Sequence, residues 1–455
     1  MKIEAVELRV LKMRLLQPFR TSFGVQQDRY PLLVRLEIDG RSQWGECVAG
    51  EGPWYSYETV ETAWQILKGY LVPAVIGREL ADVDALETLF APVRGHHMAK
   101  ACLEMAFSSA LAEHARKPLA TFLGGVRDRV ETGVSIGIQA TIDELLDSIG
   151  THLAQGYRRI KVKIEPGWDV MTIAAIRQRY PEITLMADAN SAYTLDDAAH
   201  LAQLDQFGLL MLEQPLTAGD LVDHAALQRQ LRTPICLDES IESAREARQA
   251  LQLGSCRVIN IKPGRVGGFA ESRRIHDLAS KANVPVWCGG MLETGIGRAG
   301  NVALATLPNF RLPGDISASD RYWAEDIVEP PFILQRGGTI AVPTRWGLGV
   351  RVKVDLVERL TVRREMTATI RVAIKTAPIS KPVKTKSIGW PNKRLIKTMT
   401  GATNNATWVE EPTAISSVTS TLFLIAKKTA DACSAALPMT GMRMRPTKIG
   451  EILSV

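Results

Sequence analysis

The feature that most constrains the fold is a series of short apolar runs that begins near residue 130. Each run is followed by a polar or Gly/Pro break and then by a stretch with apolar residues at helical spacing. Runs this short and this apolar are typical of parallel strands that are buried on both faces. Eight such strands alternating with helices predict an α/β fold of the (β/α)8 barrel type. The runs are Gly133–Ile138, Arg159–Ile164, Thr184–Asp188, Leu209–Glu213, Pro234–Asp238, Val258–Lys262, Pro285–Cys288 and Phe310–Ile316.

The residues before the barrel have a different pattern. Leu32–Ile38 alternates apolar with polar residues, as a half-buried antiparallel strand does. Tyr57–Leu71 and Ala99–Arg116 carry apolar residues at helical spacing. We therefore predict an α+β domain over residues 1–125, followed by the barrel from residue 126.

The chain changes character again near residue 366. Residues 367–455 hold 13 Lys and Arg but only 4 Asp and Glu, whereas the first 366 residues hold 42 and 45. The basic excess therefore belongs to this tail, and the body gives no support for nucleic-acid binding. The tail is rich in Thr, Lys and Pro without a sustained period, which predicts a disordered or non-native extension rather than a docking element.

Three further observations concern the cellular setting. The N-terminus lacks the unbroken apolar core of a signal peptide, and no stretch reaches the ~18 uncharged apolar residues of a membrane span. The six cysteines are scattered and form no CxxC pair. We therefore expect a cytoplasmic protein with reduced thiols and no membrane partner.

Five charged residues close consecutive strand-like runs. They are Lys163, Asp188, Glu213, Asp238 and Lys262, at separations of 25, 25, 25 and 24 residues. One β–α unit of a barrel has about this length, so all five are predicted at the C-terminal face, where barrel enzymes hold their active sites. One charged residue at a strand end is usually a solvated loop residue, but five in phase are hard to explain in that way.

The residue types indicate the chemistry of this set. Three converging carboxylates without His or Cys favour a hard cation such as Mg²⁺ or Mn²⁺. Lys163 and Lys262 flank the carboxylates and would face each other across a bound substrate, where one can remove a proton next to a carboxylate. Lys161 shares a strand face with Lys163, and Asn190 follows Asp188 at a position close to the site.

These motifs resemble the muconate-lactonizing-enzyme subgroup of the enolase superfamily: K-x-K, D-x-N, E-Q-P, D-E-S and N-I-K-P-G-R-x-G-G. Within the subgroup, residues 1–366 are most similar to the o-succinylbenzoate synthase and N-succinylamino acid racemase family. The segments that carry this likeness are PFRTSFG (Pro18–Gly24), GEGPWYSYETVETAW (Gly50–Trp64), GGMLETGIGRAGNVALATLPNF (Gly289–Phe310) and PGDISASDRYWAEDI (Pro313–Ile327).

The resemblance implies a fold and a set of roles. Residues 1–125 would form a capping domain, residues 126–324 the modified barrel, and residues 325–366 a return to the cap. Asp188, Glu213 and Asp238 would bind Mg²⁺ (or Mn²⁺), with Lys163 and Lys262 as the acid/base pair. The residues implied to contact or close over the substrate are Lys161, Ser135, Asn190, Phe19, Phe23, Tyr55, Met291 and Asp315. Glu239 and Arg265 would act from behind the site on specificity.

The resemblance also implies an activity. The family's synthase dehydrates 2-succinyl-6-hydroxy-2,4-cyclohexadiene-1-carboxylate to o-succinylbenzoate in menaquinone synthesis, through α-proton abstraction by lysine and a Mg²⁺-stabilised enediolate. This lyase reaction on a small-molecule carboxylate is our prediction, together with assembly as a homo-oligomer. One alternative is racemisation of N-succinylamino acids (N-acylamino acid racemase), alone or beside the synthase reaction. The other is a metal-binding barrel without catalysis, against which both lysines argue.

Two departures from the motifs of related enzymes disfavour other activities of the superfamily. The seventh run, PVWCGG, has no His for a His–Asp dyad, which disfavours the mandelate racemase type. The eighth run ends in Asp315-Ile-Ser317 rather than Asp-x-Asp, which disfavours a dipeptide epimerase that binds an ammonium group.

Overall fold

The computed structural model describes residues 1–22 and 24–369 and begins with antiparallel strands. Three of them form a sheet in which β1 pairs with β4 and β4 pairs with β5, while β2 and β3 form a separate hairpin. The fourth strand has the bounds predicted from the alternating pattern. The strands are β1 Ile3–Leu11, β2 Met13–Thr21, β3 Gly24–Arg29, β4 Leu32–Ile38 and β5 Arg41–Cys47.

Helices cover one face of this sheet. Thr59 and Asp82 accept backbone hydrogen bonds at the starts of the first and third helices, as N-cap residues do. The two predicted helical stretches are confirmed, with ends that differ by a few residues. The helices are α1 Val60–Ile66, a π-helical turn Leu67–Leu71, α2 Val72–Val75, α3 Val83–Phe90, α4 His97–His114 and α5 Leu119–Leu123.

The barrel follows a short strand, β6 (Arg129–Glu131). Seven of the eight predicted runs form a continuous parallel sheet in sequence order. Parallel strands need crossover connections, and the helices predicted between the runs supply them. The strands are β7 Gly133–Ile136, β8 Arg159–Lys163, β9 Thr184–Asp188, β10 Leu212–Glu213, β11 Ile235–Leu237, β12 Val258–Ile261 and β13 Val286–Cys288.

The eighth predicted run, Phe310–Ile316, is not a regular strand. Phe310 forms a parallel bridge with Val286 of β13, and Gly314 forms one with Thr132 beside β7. The run therefore lies between the last and the first strands and closes the barrel. Pro313 interrupts the ladder because it has no N–H to donate.

The crossover segments pack around the barrel. Asp220, Ser243 and Thr294 act as N-caps through their side-chain oxygens, and Gly254 ends a helix in the left-handed region at φ +72°. The α-helices are α6 Ile142–Gln155, α7 Val170–Arg179, α8 Ala198–Leu201, α9 Leu221–Gln230, α10 Ala244–Leu253, α11 Pro263–Val266, α12 Phe269–Lys281 and α13 Gly295–Leu304. Three short 3₁₀ turns span Leu195–Asp197, Ala202–Phe207 and Ser319–Arg321.

The described chain ends by returning to the first sheet. The last strand, β17 (Thr361–Ala368), pairs antiparallel with β1, from Ala5↔Ala368 to Leu11↔Thr361. It extends two residues beyond the predicted end of the body; the rest of the predicted tail, residues 370–455, lies outside the described residues. The last elements are β14 Val328–Glu329, β15 Thr339–Ala341, β16 Arg351–Val352, α14 Val354–Leu360 and β17 Thr361–Ala368.

A small apolar layer occupies part of the barrel interior. Met186, Met211 and Cys236 are each fully buried and lie two residues before Asp188, Glu213 and Asp238. Because side chains two residues apart on a strand share a face, this layer lies directly below the three carboxylates. The five cysteines among the described residues are free and buried. No helix in the same part of the chain has the length and apolar character needed to cross a membrane.

Candidate active site

The five in-phase charged residues lie at or just beyond the ends of neighbouring strands. Lys163, Asp188 and Glu213 end β8, β9 and β10 and are paired in register. Asp238 and Lys262 directly follow β11 and β12. Glu213 pairs with Cys236, so Asp238 lies two residues farther along its strand, as the stagger of tilted barrel strands requires. The predicted placement at one face of the barrel is therefore observed.

One side of the site is built around Lys163. Its Nζ lies 2.6 Å from Asp188 Oδ2 and donates to Asn190 Oδ1 at 2.6 Å. Asn190 in turn donates from Nδ2 to Glu239 Oε1 at 2.9 Å. The second oxygen of Glu239 is buried without a hydrogen-bond partner in the described structure. All four side chains come from the barrel.

The opposite side is built around Lys262 and includes the cap. Lys262 Nζ lies 2.7 Å from Asp238 Oδ2 and donates to the Tyr55 hydroxyl at 3.1 Å. The Tyr55 hydroxyl donates to Asp238 Oδ1 at 3.1 Å, so the tyrosine bridges the two barrel residues. Burial disfavours the charged form of Lys262, but Tyr55 and nearby carboxylates outweigh burial and raise its pKa.

Arg265 lies behind Asp238. Its Nη1 contacts the carboxylate of Asp238, while Nε and Nη2 donate to the backbone oxygens of Ile241 at 3.0 Å and Asn260 at 2.7 Å. Burial lowers the pKa of the guanidinium. Arg265 therefore contacts Asp238 from behind and does not line the cavity.

Lys161 occupies the centre of the carboxylates. Its Nζ lies 2.5 Å from Asp315, 3.0 Å from Glu213 and 3.1 Å from Asp188. Burial disfavours the ammonium form, yet these three carboxylates outweigh burial and raise the pKa of Lys161. Burial raises the pKa of Glu213, reinforced by the charge of Asp188. In Asp188 the neighbouring lysines outweigh burial and lower the pKa.

Two site residues were missed by the sequence argument. Arg159 is fully buried and lies 2.6 Å from Asp315, which it shares with Lys161. Asn260 donates to Glu213 Oε1 at 2.7 Å. Each lies two residues before a predicted lysine on the same strand, so the two-residue period of a β-strand was the signal that could have found them.

A cavity of about 570 Å³ opens above these groups. It is lined from below by lysines and from above by the β2–β3 hairpin and the loop that follows β5. The Ser135 hydroxyl is buried at its edge and has no hydrogen-bond partner among the described residues. The predicted site residues that line the cavity are Phe19, Tyr55, Ser135, Lys161, Lys163, Asn190, Lys262, Met291 and Asp315. Phe23 lies outside the described residues.

Three carboxylates of the site form the candidate ligands for a divalent cation. Asp188, Glu213 and Asp238 are buried carboxylates on adjacent strand ends, without nitrogen or sulfur ligands, and this chemistry fits Mg²⁺. Lysine and arginine donors contact the carboxylate oxygens in the arrangement described above. Accordingly, no group of three His, Cys, Asp or Glu side chains within residues 1–22 and 24–369 is spaced for a metal ion.

Comparison with known families matches both parts of the body. Residues 3–124 match the mandelate racemase/muconate lactonizing enzyme N-terminal domain, and residues 144–356 match the enolase C-terminal domain-like family. Enzymes with this pair of domains generally depend on Mg²⁺.

Curated relatives are similar over nearly their whole length. An o-succinylbenzoate synthase from Geobacillus kaustophilus is 55% identical over 360 residues, 79% of this chain and 96% of the relative. An N-succinylamino acid racemase from Amycolatopsis sp. is 52% identical over 365 residues, 80% of this chain and 99% of the relative. The crystal structure of an enolase-superfamily member from Listeria innocua has a TM-score of 0.78 and 41% identity, covering 80% of this chain and 99% of that one. The chain belongs to the enolase superfamily, in the family of o-succinylbenzoate synthases and N-succinylamino acid racemases.

Proposed function

We propose that this enzyme is a lyase that dehydrates 2-succinyl-6-hydroxy-2,4-cyclohexadiene-1-carboxylate to o-succinylbenzoate, a step of menaquinone synthesis. The observation that carries the proposal is the pair of lysines, Lys163 and Lys262, which line one cavity from separate strands with three carboxylates between them. The synthase names of the curated relatives support the same reaction.

In the proposed mechanism the two lysines have different tasks. Neutral Lys163 removes the proton from the carbon next to the substrate carboxylate. Hydroxide then leaves the neighbouring carbon and the ring becomes aromatic; the abstracted proton and the hydroxide together make up the lost water. Lys262, as a cation, attracts the electron-rich ring. Asn190 orients Lys163, and Tyr55 orients Lys262.

Asp188, Glu213 and Asp238 would hold a divalent cation. When bound, Mg²⁺ supplies a Lewis acid that polarises the substrate carboxylate. Charge balance supports this pairing. With Lys163 neutral, as its role as base requires, four cationic side chains face five carboxylates, and this net negative charge favours a bound divalent cation. The cationic groups counted are Arg159, Lys161, Lys262 and Arg265, and the carboxylates are Asp188, Glu213, Asp238, Glu239 and Asp315.

Racemisation of N-succinylamino acids is the second candidate. Its support is that the two lysines approach the cavity from opposite sides, each within 2.7 Å of its own carboxylate. Such a pair can remove a proton from one face of a carbon and return one to the other. The relative named as a racemase is 52% identical to this chain over 99% of its own length, and both activities are compatible with one site. Cytoplasmic location and homo-oligomeric assembly complete the proposal.

The purified chain with added Mg²⁺ tests these activities directly. We expect it to convert the cyclohexadiene substrate to o-succinylbenzoate, measured by ultraviolet absorbance, and to show slower racemisation of N-succinylamino acids by polarimetry. Removal of divalent ions with EDTA should stop both, and Mg²⁺ or Mn²⁺ should restore them. Absence of turnover on both substrates with Mg²⁺ present would reject the catalytic proposal and favour a non-catalytic metal-binding barrel.

A further inference from the structure

The loop between β13 and α13 (residues 289–294) forms one wall of the cavity. Gly290, Met291 and Leu292 all line the cavity. Leu292 has φ +57°, a left-handed conformation that is costly for a residue with a branched side chain. Such a conformation persists only where surrounding contacts hold it.

Two buried cap residues supply contacts to this loop. Arg29, at the end of β3, donates from Nη2 to the backbone oxygen of Met291 at 3.2 Å. Glu46, in β5, accepts from the backbone N–H of Thr294 at 3.1 Å and of Gly297 at 2.9 Å. The loop is therefore held by a cap donor on one side and a cap acceptor on the other.

The arginine also organises the cap side of the cavity. Its other donor bonds go to the backbone oxygens of Val48 at 2.6 Å and Ala49 at 2.8 Å. These residues begin the loop that carries Tyr55 to Lys262. Burial lowers the pKa of Arg29, and the nearby carboxylates of Glu46 and Glu293 counteract burial. Arg29 is 2% exposed, so none of these bonds competes with bulk water.

We propose that Arg29 and Glu46, the clamp pair, are positioning residues that fix the β13–α13 loop against the cavity and thereby set its affinity for substrate. The clamp pair lies outside the acid/base chemistry, since neither residue contacts Lys163 or Lys262 in the described bonds. The identity of the substrate in this inference rests on the proposed function. The contacts between the clamp pair and the β13–α13 loop do not depend on that function.

Substitution of the arginine gives the main test. Arg29→Met keeps most of the side-chain volume and removes every donor, leaving three carbonyl groups without their partner. We expect KM and the Kd of o-succinylbenzoate, measured by calorimetry, to rise about tenfold, with kcat within about threefold. Arg29→Lys should recover part of the affinity, because an ammonium group retains three donors.

Arg127 offers a matched control. It too donates to three backbone oxygens, those of Ala305, Leu307 and Pro308, but it does not line the cavity. Arg127→Met should lower the melting temperature while leaving KM and product affinity unchanged. Equal effects of the two substitutions on KM would reduce Arg29 to a structural residue and overturn the proposal.

Hydrogen–deuterium exchange gives a readout that does not depend on turnover. In Arg29→Met the amides of residues 289–297 should exchange faster than in the wild type, and Glu46→Gln should have a smaller effect in the same direction. Unchanged exchange in both variants would overturn the proposal. If Arg29→Met does not fold, Arg29→Lys and Glu46→Gln carry the same test. A wild type without synthase turnover rejects the proposed function alone, because loop exchange does not require the reaction.

Discussion

The two halves of the active site are built in different ways. Lys163 is held by Asp188 and Asn190, both from the barrel. Lys262 is held by Asp238 and by Tyr55, which enters from the cap and is 183 residues away from Asp238 in sequence. The barrel alone therefore orients one lysine, whereas the other reaches its full set of partners only with the cap in place. Chemistry at Lys163 should thus tolerate disturbance of the cap better than chemistry at Lys262.

The largest difference in activity between the two halves should come from substitution of the lysines themselves. Lys163→Ala removes the proposed base, and synthase turnover should fall by about 10²–10⁴-fold or more. Lys262→Arg keeps a positive charge but cannot act as a base, so it should retain some synthase activity and lose racemisation. Steady-state rates and deuterium incorporation from D₂O measure both. Wild-type racemisation by Lys163→Ala would disprove the two-base assignment.

The three carboxylates between Lys163 and Lys262 should affect the synthase and racemase activities equally. Glu213→Gln removes one negative charge from the proposed Mg²⁺ ligands, so metal affinity should fall at least about tenfold and both activities should fall together. Calorimetric titration with Mg²⁺ measures the affinity, and Glu79→Gln, at a surface position, serves as the control. Metal-free enzyme with full activity would refute the ligand assignment.

Paired substitutions of the orienting residues sharpen the comparison. Tyr55→Phe removes the cap's hydrogen bonds to Lys262 and Asp238, and should lower racemisation about tenfold while changing synthase turnover less. Asn190→Ala removes the barrel partner of Lys163 and should lower both reactions. Ratios of kcat for the two substrates report the effect. Identical ratios for the two variants would show that the halves do not differ in this way.

The smallest expected effect is on stability and concerns a contact between the cap and the barrel. Glu104 of α4 accepts from the N–H groups of Phe269 and Ala270 at the start of α12, and burial raises its pKa to about 7. The folded state then binds this proton more tightly than the unfolded state. The corresponding stability is present below the ordinary glutamate pKa and is lost as pH rises to about 7, by a few kcal/mol at most.

Glu104→Gln should remove this contribution. Between pH 4.5 and 7 the free energy of unfolding of the variant should fall less steeply than that of the wild type, as measured by urea denaturation at a series of pH values. Parallel slopes for the two proteins would contradict the assignment.

The sequence predicted the positions of the charged groups because barrel strands repeat at a regular interval. Lys163, Asp188 and Glu213 could be aligned from spacing alone, and the structure pairs them in register. The eighth run was predicted as a regular strand, but Pro313 breaks its hydrogen bonding. The fold class and family were accessible in the same way, through the order of the runs and the motifs at their ends.

Other features had weak signals or none. Arg159 and Asn260 had a weak signal, since strand periodicity places each of them on the same face as a predicted lysine. Tyr55 was found only through resemblance, because no local pattern connects it with Lys262. Arg29 had no signal at all: its acceptors are backbone carbonyl groups, which every residue carries. Contacts of this kind depend on the tertiary arrangement of distant segments.

The position of the cavity has a consequence for proton traffic. Lys163 and Lys262 are buried except where they line the cavity, below the β2–β3 hairpin and the loop that follows β5. Protons from solvent therefore reach and leave both lysines through the cavity. Once a substrate fills the cavity, a lysine that has taken a proton can pass it only to the substrate or to the leaving hydroxide. Each turnover thus begins with a protonation state that was set before the substrate bound.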